Sequence, residues 1–284
     1  MTHNDTEPSR PLDGKNFPLL AMLFPDELHY LQSVATSMRV AADVPVIQEG
    51  QRNQYLYLIQ SGVLRVSKRH GDTVFEIGSI TPGEVFGEAS ILYQTPAGAN
   101  VRSIETCELY QIEIQHLQEI IQDNSRFSHA IHQLAERRSA AGALAINPIF
   151  STLSQAVREV ILYNGEFLTI EQGETLFSEA SSDITYMYLI LSGEAEAFIQ
   201  HPTHAEERIV FARLSSGDEA GEISVVTEKP RTVTVVATSR LRLLAMKTES
   251  IQAWRRRYSD FEQALRNHVQ RKLQHNLEAI RLGK

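Results

Sequence analysis

Apolar positions change their period along the chain, and the change separates helical from strand-rich segments. In residues 17–34 apolar side chains recur every three or four positions, which predicts a short helical lead-in. Short alternating segments follow over residues 40–112, with Gly and Pro between them. Helical spacing returns over residues 114–145 and ends at Asn147-Pro148. This order predicts a small β-sandwich or barrel with helices at both ends.

The same order of segments occurs a second time. The segment YLYLIQSG at residues 55–62 recurs as YMYLILSG at residues 186–193. Gly87-Glu88 recurs as Gly221-Glu222, 134 positions later. A repeat of this length indicates tandem domains, because solenoid units are much shorter. We predict a mainly β protein with helices (α+β): two tandem jelly-roll β-barrels, each with a helical lead-in and C-terminal helices, in domains 17–146 and 147–284 after a flexible arm at 1–16.

The tail of the second copy carries a long apolar stripe. Over residues 249–282 its members recur in steps of three or four: Trp254, Tyr258, Phe261, Leu265, Val269, Leu273 and Leu277. This spacing predicts one amphipathic helix. Packing against the chain's own barrel explains the stripe, and a homodimer contact is the alternative.

The stretch around Gly221 has the chemistry of a cradle for a small anion that carries hydroxyl groups. Gly221 lets the backbone approach a ligand closely, and residues 221–224 would begin a short helical turn whose free amides face an anion. Glu222 can accept hydrogen bonds from hydroxyls, and Arg231 can hold charged oxygens with two parallel bonds. A ribose cyclic phosphate offers both kinds of group.

These residues resemble the phosphate-binding cassette of cyclic nucleotide-binding domains, in which Gly-Glu, a short apolar helix and an Arg followed by a small or hydroxyl residue occur in this order. The resemblance implies that Glu222 holds the ribose 2'-hydroxyl, Arg231 the cyclic phosphate, and Thr232 adds a hydroxyl contact. Ile223 and Ser224 belong to the same segment. We expect cAMP as the ligand, with cGMP as the alternative, and no metal.

The first copy keeps only half of this cassette. Gly87 and Glu88 are present, but Ala97 stands at the Arg position and Gly98 at the hydroxyl position. A hydrogen bond from a charged group contributes about 1.5 to 3 kcal/mol, so its loss weakens phosphate binding by at least about tenfold. We therefore expect the first copy to be a degenerate site, and one nucleotide to bind per chain.

The second copy also departs from the family. Ala220 stands where the first copy has Phe86, and residues 178–183 lack the Gly that the first copy has at Gly50. In the family, a residue of the helix after the barrel often covers the base. The aromatic residues available for that role are Trp254, Tyr258 and Phe261, although core packing explains their spacing better.

Composition narrows the class of protein. The net charge is -8 with a pI near 5.7, which disfavours binding to nucleic acids or anionic membranes. No apolar run is long enough to cross a bilayer, and the polar start is unlike a signal peptide. The single Cys107 fits a reducing compartment. We expect a cytoplasmic protein.

No catalytic motif occurs in the chain, which has no phosphate-binding Gly-Lys loop and no His or Cys at metal-ligand spacing. We therefore predict a non-enzymatic sensor that binds a cyclic nucleotide in its second domain and signals through the tail helix to a protein partner. The alternative is a scaffold whose barrels bind proteins. The resemblance extends to regulatory subunits of cAMP-dependent protein kinase, although residues 1–15 lack their inhibitory segment, and to the sensor domain of catabolite activator proteins.

Overall fold

The computed structural model describes residues 10–70, 73–93, 95–201 and 207–282. The chain forms two compact units that divide between Arg138 and Ser139. Each unit contains two four-stranded antiparallel sheets together with helices. This arrangement confirms the predicted α+β class with two β-rich domains.

The elements follow the same order in both units. In the first half they are a 3₁₀ turn Pro18–Met22, α1 Pro25–Val34, β1 Thr36–Val40, β2 Pro45–Ile47, β3 Tyr55–Ser61, β4 Leu64–His70, β5 Thr73–Ile80, β6 Val85–Phe86, α2 Glu88–Tyr93, β7 Asn100–Ser103, β8 Cys107–Glu113, α3 Gln115–Asp123 and α4 Ser125–Ile146. In the second half they are a 3₁₀ turn Phe150–Thr152, α5 Gln155–Asn164, β9 Glu166–Ile170, β10 Thr175–Phe177, β11 Tyr186–Ser192, β12 Ala195–Gln200, β13 Arg208–Leu214, β14 Glu219–Ala220, α6 Glu222–Thr227, β15 Thr234–Ala237, β16 Leu241–Lys247, α7 Thr248–Arg257 and α8 Ser259–Leu282.

The sheet orders match between the units. The first unit has the orders β1-β8-β3-β6 and β2-β7-β4-β5, and the second has β9-β16-β11-β14 and β10-β15-β12-β13. In each unit one apolar core contains residues from both sheets. The two sheets therefore pack face to face, as in a jelly roll.

The sheet that carries the cassette is buried on both faces. Along β11, Ile190 belongs to the core between the sheets, whereas Met187 and Leu189 pack with the helices. The same alternation places Ala220 of β14 on the barrel side and its neighbour Glu219 on the helix side, since Glu219 pairs with Leu189. A carboxylate consequently lies in an otherwise apolar layer beneath the helices.

The helices after each barrel are interrupted once, at equivalent positions. The predicted single tail helix is wrong in this respect, because Tyr258 adopts an extended conformation between α7 and α8. Asn124 separates α3 from α4 in the same way, 134 positions earlier. The apolar spacing continues through both breaks, so periodicity does not reveal them. The predicted end at Asn147 is confirmed, since α4 ends at Ile146.

The N-terminal segment was predicted to be a flexible arm. Residues 1–9 lie outside the described residues, but residues 10–16 pack on the first unit. Leu12 is buried, and Asp13 accepts hydrogen bonds from the backbone amides of Lys15 and Asn16. None of the helices that the structure describes is long and apolar enough to span a membrane.

Candidate ligand-binding site

The second unit contains a cavity of about 80 Å3 at the cassette, residues 221–232. All six residues predicted for the site line it: Gly221, Glu222, Ile223, Ser224, Arg231 and Thr232. The other walls come from the barrel, including Phe177 and Ala220, and from Lys272, His275 and Asn276 of α8. The structure thus brings the predicted residues together and adds a wall from the tail helix.

Gly221 fixes the start of α6. Its φ is 90°, a region that residues with a Cβ rarely adopt, and a Cβ here would collide with the guanidinium of Arg231. Glu222 is then the first residue of α6, and the amides of this first turn have no partner within the helix. The glycine therefore permits both the turn and the close approach of Arg231.

Arg231 is buried and holds the cassette to the barrel. Its Nε donates to the carbonyl of Asp183 at 2.9 Å, Nη1 to that of Gly221 at 3.2 Å, and Nη2 to that of Tyr186 at 2.7 Å. The guanidinium carbon lies 4.4 Å from the centre of the Phe177 ring. Only 3% of the residue is exposed. These contacts fix the guanidinium before any ligand arrives.

Two N–H groups of Arg231 have no hydrogen-bond partner among the residues that the structure describes. A guanidinium has five N–H groups, and the three carbonyls use one from each nitrogen. The remaining N–H groups belong to Nη1 and Nη2, the pair that can bind two oxygens of one phosphate. Burial lowers the pKa of Arg231, but a guanidinium stays charged at neutral pH.

Glu222 is also buried and already has a cationic partner. Its Oε1 lies 3.0 Å from Nζ of Lys272, which comes from α8. The same ammonium donates to Oε1 of Glu219 at 2.6 Å and to the Glu219 carbonyl at 3.3 Å. Lys272 therefore connects the tail helix to both carboxylates at the cassette.

Glu219 is the centre of a buried polar cluster. Nδ2 of Asn147 donates to its Oε2 at 2.6 Å, and Nε2 of His268 lies 2.7 Å from its Oε1. Burial acts to raise the pKa of Glu219, but the contacts with His268 and Lys272 outweigh it and hold the pKa well below its usual range. Burial likewise acts to lower the pKa of Lys272, while Glu222 and Glu219 together raise it.

Glu219, Glu222 and His268 also have the chemistry of a metal site, since their ligand atoms lie within 4.8 Å of one another. The ammonium of Lys272 lies against both carboxylates, however, and supplies the positive charge that a metal would bring. The arrangement is therefore a buried salt-bridge cluster.

Comparison of the sequence with known protein families identifies the domains that contain the two cassettes. The model of the cyclic nucleotide-binding domain matches residues 37–124 and 167–258. The chain belongs to this family. Its two units each contain one cyclic nucleotide-binding domain, and both cassettes fall within the matched residues.

Similar proteins include two fungal regulatory subunits of cAMP-dependent protein kinase. The one from Mycosarcoma maydis is 29% identical over 226 residues, which cover 74% of this chain and 41% of the relative. The one from Yarrowia lipolytica is 28% identical over 207 residues, covering 73% and 50%. The chain thus spans half or less of the length of these relatives. A co-crystal structure of the regulatory domain of Toxoplasma gondii PKA with cAMP aligns with 90% of this chain and 92% of that one, at 20% identity and a TM-score of 0.43.

In the first cyclic nucleotide-binding domain, side chains of the domain itself pair with polar groups of the cassette. Glu88 has a cationic partner, since Nη1 of Arg138 in α4 lies 3.1 Å from its Oε2. Arg138 and Lys272 are 134 positions apart, so each copy supplies a cation to its cassette glutamate from the same point of the repeat. The repeated sequence of the cassettes does not show this pairing.

Asn53 makes two hydrogen bonds that correspond to bonds of Arg231 in the second domain. Its Nδ2 donates to the carbonyl of Tyr55 at 2.6 Å and to that of Gly87 at 3.4 Å. By the offsets of the repeat, these carbonyls correspond to two of the three that Arg231 binds. Ala97 is buried and Gly98 exposed at the positions of Arg231 and Thr232.

The first domain has a cavity of about 250 Å3 beside β2, β3 and the loop between them. Its walls include Val46, Arg52, Tyr55 and Tyr57, the counterparts of the residues around Arg231. On the barrel side, Phe86 stacks on Tyr57 with ring centres 4.8 Å apart. The second domain has Ala220 in place of Phe86, and Ala220 lines the cavity at the second cassette.

The loop without a glycine keeps the turn of its counterpart. Ala180 has a φ of 62°, close to the 81° of Gly50. The amide of Ala180 donates to the Arg231 carbonyl at 2.8 Å, as that of Gly50 does to the Ala97 carbonyl. The loop geometry is thus conserved between the copies, at the cost of a left-handed alanine.

The aromatic residues of the tail lie in the core and not at the cavity. Phe261 is fully buried, and its ring lies 6.4 Å from that of Trp254 and 5.7 Å from that of Phe150. Tyr258 packs against the same cluster. The favoured interpretation as core packing is confirmed, and the residues of α8 that reach the cavity are Lys272, His275 and Asn276.

Sequence reasoning missed Lys272, Glu219, His268 and Asn147. One signal was available in the repeat: Val85 and Leu134 of the first copy, both in its apolar helix-facing cluster, correspond to Glu219 and His268. Two polar residues that replace apolar ones at aligned core positions indicate a partnered buried cluster.

Proposed function

We propose that the second cyclic nucleotide-binding domain binds one purine cyclic nucleotide per chain, cAMP with cGMP as the alternative, and that the protein is a non-enzymatic sensor. The observation that supports the proposal is the fixed guanidinium of Arg231, which lines the same cavity as Glu222 and has N–H groups beyond those that bind the three carbonyls. Its relatives, named as regulatory subunits of cAMP-dependent protein kinase, support the choice of cAMP.

Each cassette residue has a distinct role in this proposal. Arg231 binds two oxygens of the cyclic phosphate, and the unpaired amides at the start of α6 add neutral donors. Glu222 accepts a hydrogen bond from the ribose 2'-hydroxyl. Thr232 and Ser224 offer hydroxyls at the edge of the phosphate, while Ile223 supplies an apolar wall.

Binding would change the position of α8. Pockets for small molecules usually have volumes of roughly 300 Å3 or more, whereas this cavity has about 80 Å3. Three side chains of α8 form part of its wall. A nucleotide would therefore displace this part of the helix, which links occupancy of the cassette to the tail.

A second route links the cassette to the tail through α7. Nε2 of Gln252 and Nη1 of Arg255 donate to the carbonyl of Val225 in α6, at 2.7 and 3.2 Å. Nε of Arg255 also lies 2.6 Å from Glu262 in α8. A shift of α6 would therefore also move α7 and α8. We propose that a protein partner binds differently to the shifted helices. A cytoplasmic location remains our prediction.

The test is calorimetric titration with cAMP, cGMP and cyclic dinucleotides. We expect one site per chain, with cAMP binding most tightly. Removal of the two charged groups in a Glu222→Ala, Arg231→Ala double variant should abolish binding. Residual binding of cAMP by that variant would show that the first domain is a working site. Hydrolysis of the nucleotide during the titration would contradict a non-enzymatic role.

A second candidate function is a scaffold whose barrels bind proteins independently of nucleotide. The first domain favours it, since Asn53 and Arg138 occupy the groups that a ligand would need. Isolation of a defined partner with and without cAMP separates the two functions. A partner whose binding changes with cAMP supports the sensor, and one that binds equally in both conditions supports the scaffold.

A further inference from the structure

The cavity of the first domain is larger than that of the second, and its walls are not those of the cassette. Its volume is about 250 Å3, compared with about 80 Å3 at the second cassette. Its walls come from β2, β3 and the loop between them, and neither Glu88 nor Ala97 lines it. Pockets for drug-sized molecules begin at roughly 300 Å3, so this cavity suits a somewhat smaller ligand.

One wall of this cavity is aromatic. Alternation along β3 directs Tyr55 and Tyr57 to the core between the sheets, on the same face as Ile59. The ring centres of Tyr55 and Tyr57 lie 5.9 Å apart, and Phe86 stacks on Tyr57 at 4.8 Å. Aromatic rings attract one another in stacked or edge-to-face contacts at such distances. The wall therefore favours a ligand that contains a planar ring.

The rim of the cavity is polar. It consists of Gln48, Gln51, Arg52 and Gln54, all of which are exposed. Nε2 of Gln51 donates to Oε1 of Gln48 at 2.8 Å. Glutamine amides can donate to a carboxylate and accept from a ring N–H. A small polar molecule can thus reach the cavity from solvent and form hydrogen bonds at its entrance.

Arg52 gives the cavity a positive charge. It is the one charged residue among the described residues that line the cavity. No carboxylate pairs with its guanidinium in the described part of the chain. A guanidinium can bind a carboxylate with two parallel hydrogen bonds. The entrance consequently favours an anionic group over a cationic one.

We propose that the first domain binds a small aromatic carboxylate in this cavity, with the ring against Tyr55 and Tyr57 and the carboxylate on Arg52. At the first cassette a cyclic phosphate would meet Ala97 in place of an arginine, and Arg138 already pairs with Glu88. An aromatic carboxylate needs neither of these groups. Its binding is also independent of a nucleotide in the second domain, because the two cavities share no residue.

Amide NMR of the isotope-labelled full chain tests this site with three probes: indole-3-carboxylate, indole-3-carboxamide and cyclohexanecarboxylate. Indole-3-carboxylate should shift the amides of residues 45–57. The carboxamide, which lacks the charge, should bind about tenfold more weakly. Cyclohexanecarboxylate, which lacks the planar ring, should bind about two- to tenfold more weakly. Equal affinity for the three probes, or shifts confined to residues 221–232, would overturn the proposal.

Two substitutions in the full chain test the assigned contacts. Arg52→Met removes the charge at an exposed position, and it should weaken the binding of indole-3-carboxylate about tenfold and abolish the preference over the carboxamide. Tyr55→Leu removes a ring but retains the backbone bonds to Asn53, and it should weaken binding about two- to tenfold.

Arg65→Met is the matched control, because Arg65 is an exposed arginine of the same unit that does not line the cavity. It should bind indole-3-carboxylate as the wild-type protein does. Wild-type affinity in Arg52→Met, or an equal loss in Arg65→Met, would contradict the contact between the carboxylate and Arg52 and overturn the proposal.

Discussion

Replacing Arg231 by alanine should destabilise the ligand-free second domain, and not only weaken ligand binding. The guanidinium donates to the carbonyls of Asp183, Gly221 and Tyr186, which lie on two different segments of the chain. Arg231→Ala leaves these three carbonyls without their charged donor. It also lets the end of the cassette separate from the strand at Tyr186.

The expected loss of stability follows from the number of hydrogen bonds that Arg231 makes and from the cost of burying its charge. Each hydrogen bond from a charged donor is worth about 1.5 to 3 kcal/mol, so three bonds sum to roughly 4.5 to 9 kcal/mol. Against this, the variant no longer buries a charge, whose net cost is several kcal/mol, and water enters the space to satisfy the carbonyls. We expect a net loss of about 2 to 4 kcal/mol in the free energy of unfolding.

Fluorescence of the single tryptophan provides the assay. Trp254 packs against Phe261 in the second unit, so its emission reports the unfolding of that unit. With a urea dependence of about 2 kcal/mol per molar, the midpoint should fall by roughly 1 to 2 M. Asn53→Ala, which releases the matching carbonyls of the first unit, should leave the Trp254 transition in place. An Arg231→Ala midpoint equal to that of the wild-type protein would refute the bonding described for the guanidinium.

Three further predictions follow from the comparison of the two units. Ala180→Gly should stabilise the protein by about 0.5 to 1 kcal/mol in urea unfolding, because it relieves a left-handed backbone, and Gly50→Ala should destabilise it by a similar amount. The folded-state pKa of Glu219 lies below its usual 4.5. The contribution of the Glu219 carboxylate to stability is therefore present above about pH 4.5 and is lost as the pH falls further. The difference in unfolding free energy between the wild-type protein and Glu219→Gln should consequently shrink in acid. Ala97→Arg alone should not raise the calorimetric stoichiometry, because Asn53 already binds two of the carbonyls that an arginine would need.

The sequence was sufficient to predict the features that depend on the internal repeat or on the spacing of apolar residues. The structure contains the two β-rich domains and the end of the helical segment 114–145 at Asn147, and it groups Gly221, Glu222 and Arg231 around one cavity. Each of these depends on local spacing or on residues close in the chain, which is why pattern analysis finds them.

The partners of the cassette could not be predicted in the same way. Lys272 is one of many charged residues on the polar face of the tail, and its contact with Glu222 depends on the break at Tyr258, which sets the direction of α8. The apolar stripe defines which face of a helix is buried but not which polar side chain meets a buried carboxylate at its edge. Asn53 was missed for a related reason, since its partners are backbone carbonyls that have no sequence signature.

The structure was also needed to show what the apolar stripe of the tail helices contacts. Phe261, Leu265, Val269 and, in part, Leu273 pack against the chain's own second domain. Only Leu277 of the predicted dimer contact remains largely exposed among these residues. Packing within the chain therefore explains most of the stripe without a second copy.

The central claim is that one of the two domains, the second, binds a cyclic nucleotide. The most direct measurement is the stoichiometry of cAMP in calorimetric titrations of the wild-type protein and of the Glu222→Ala, Arg231→Ala variant. Our account predicts one site per chain in the wild-type protein and none in the variant. Two sites per chain, or binding that survives in the variant, would contradict it.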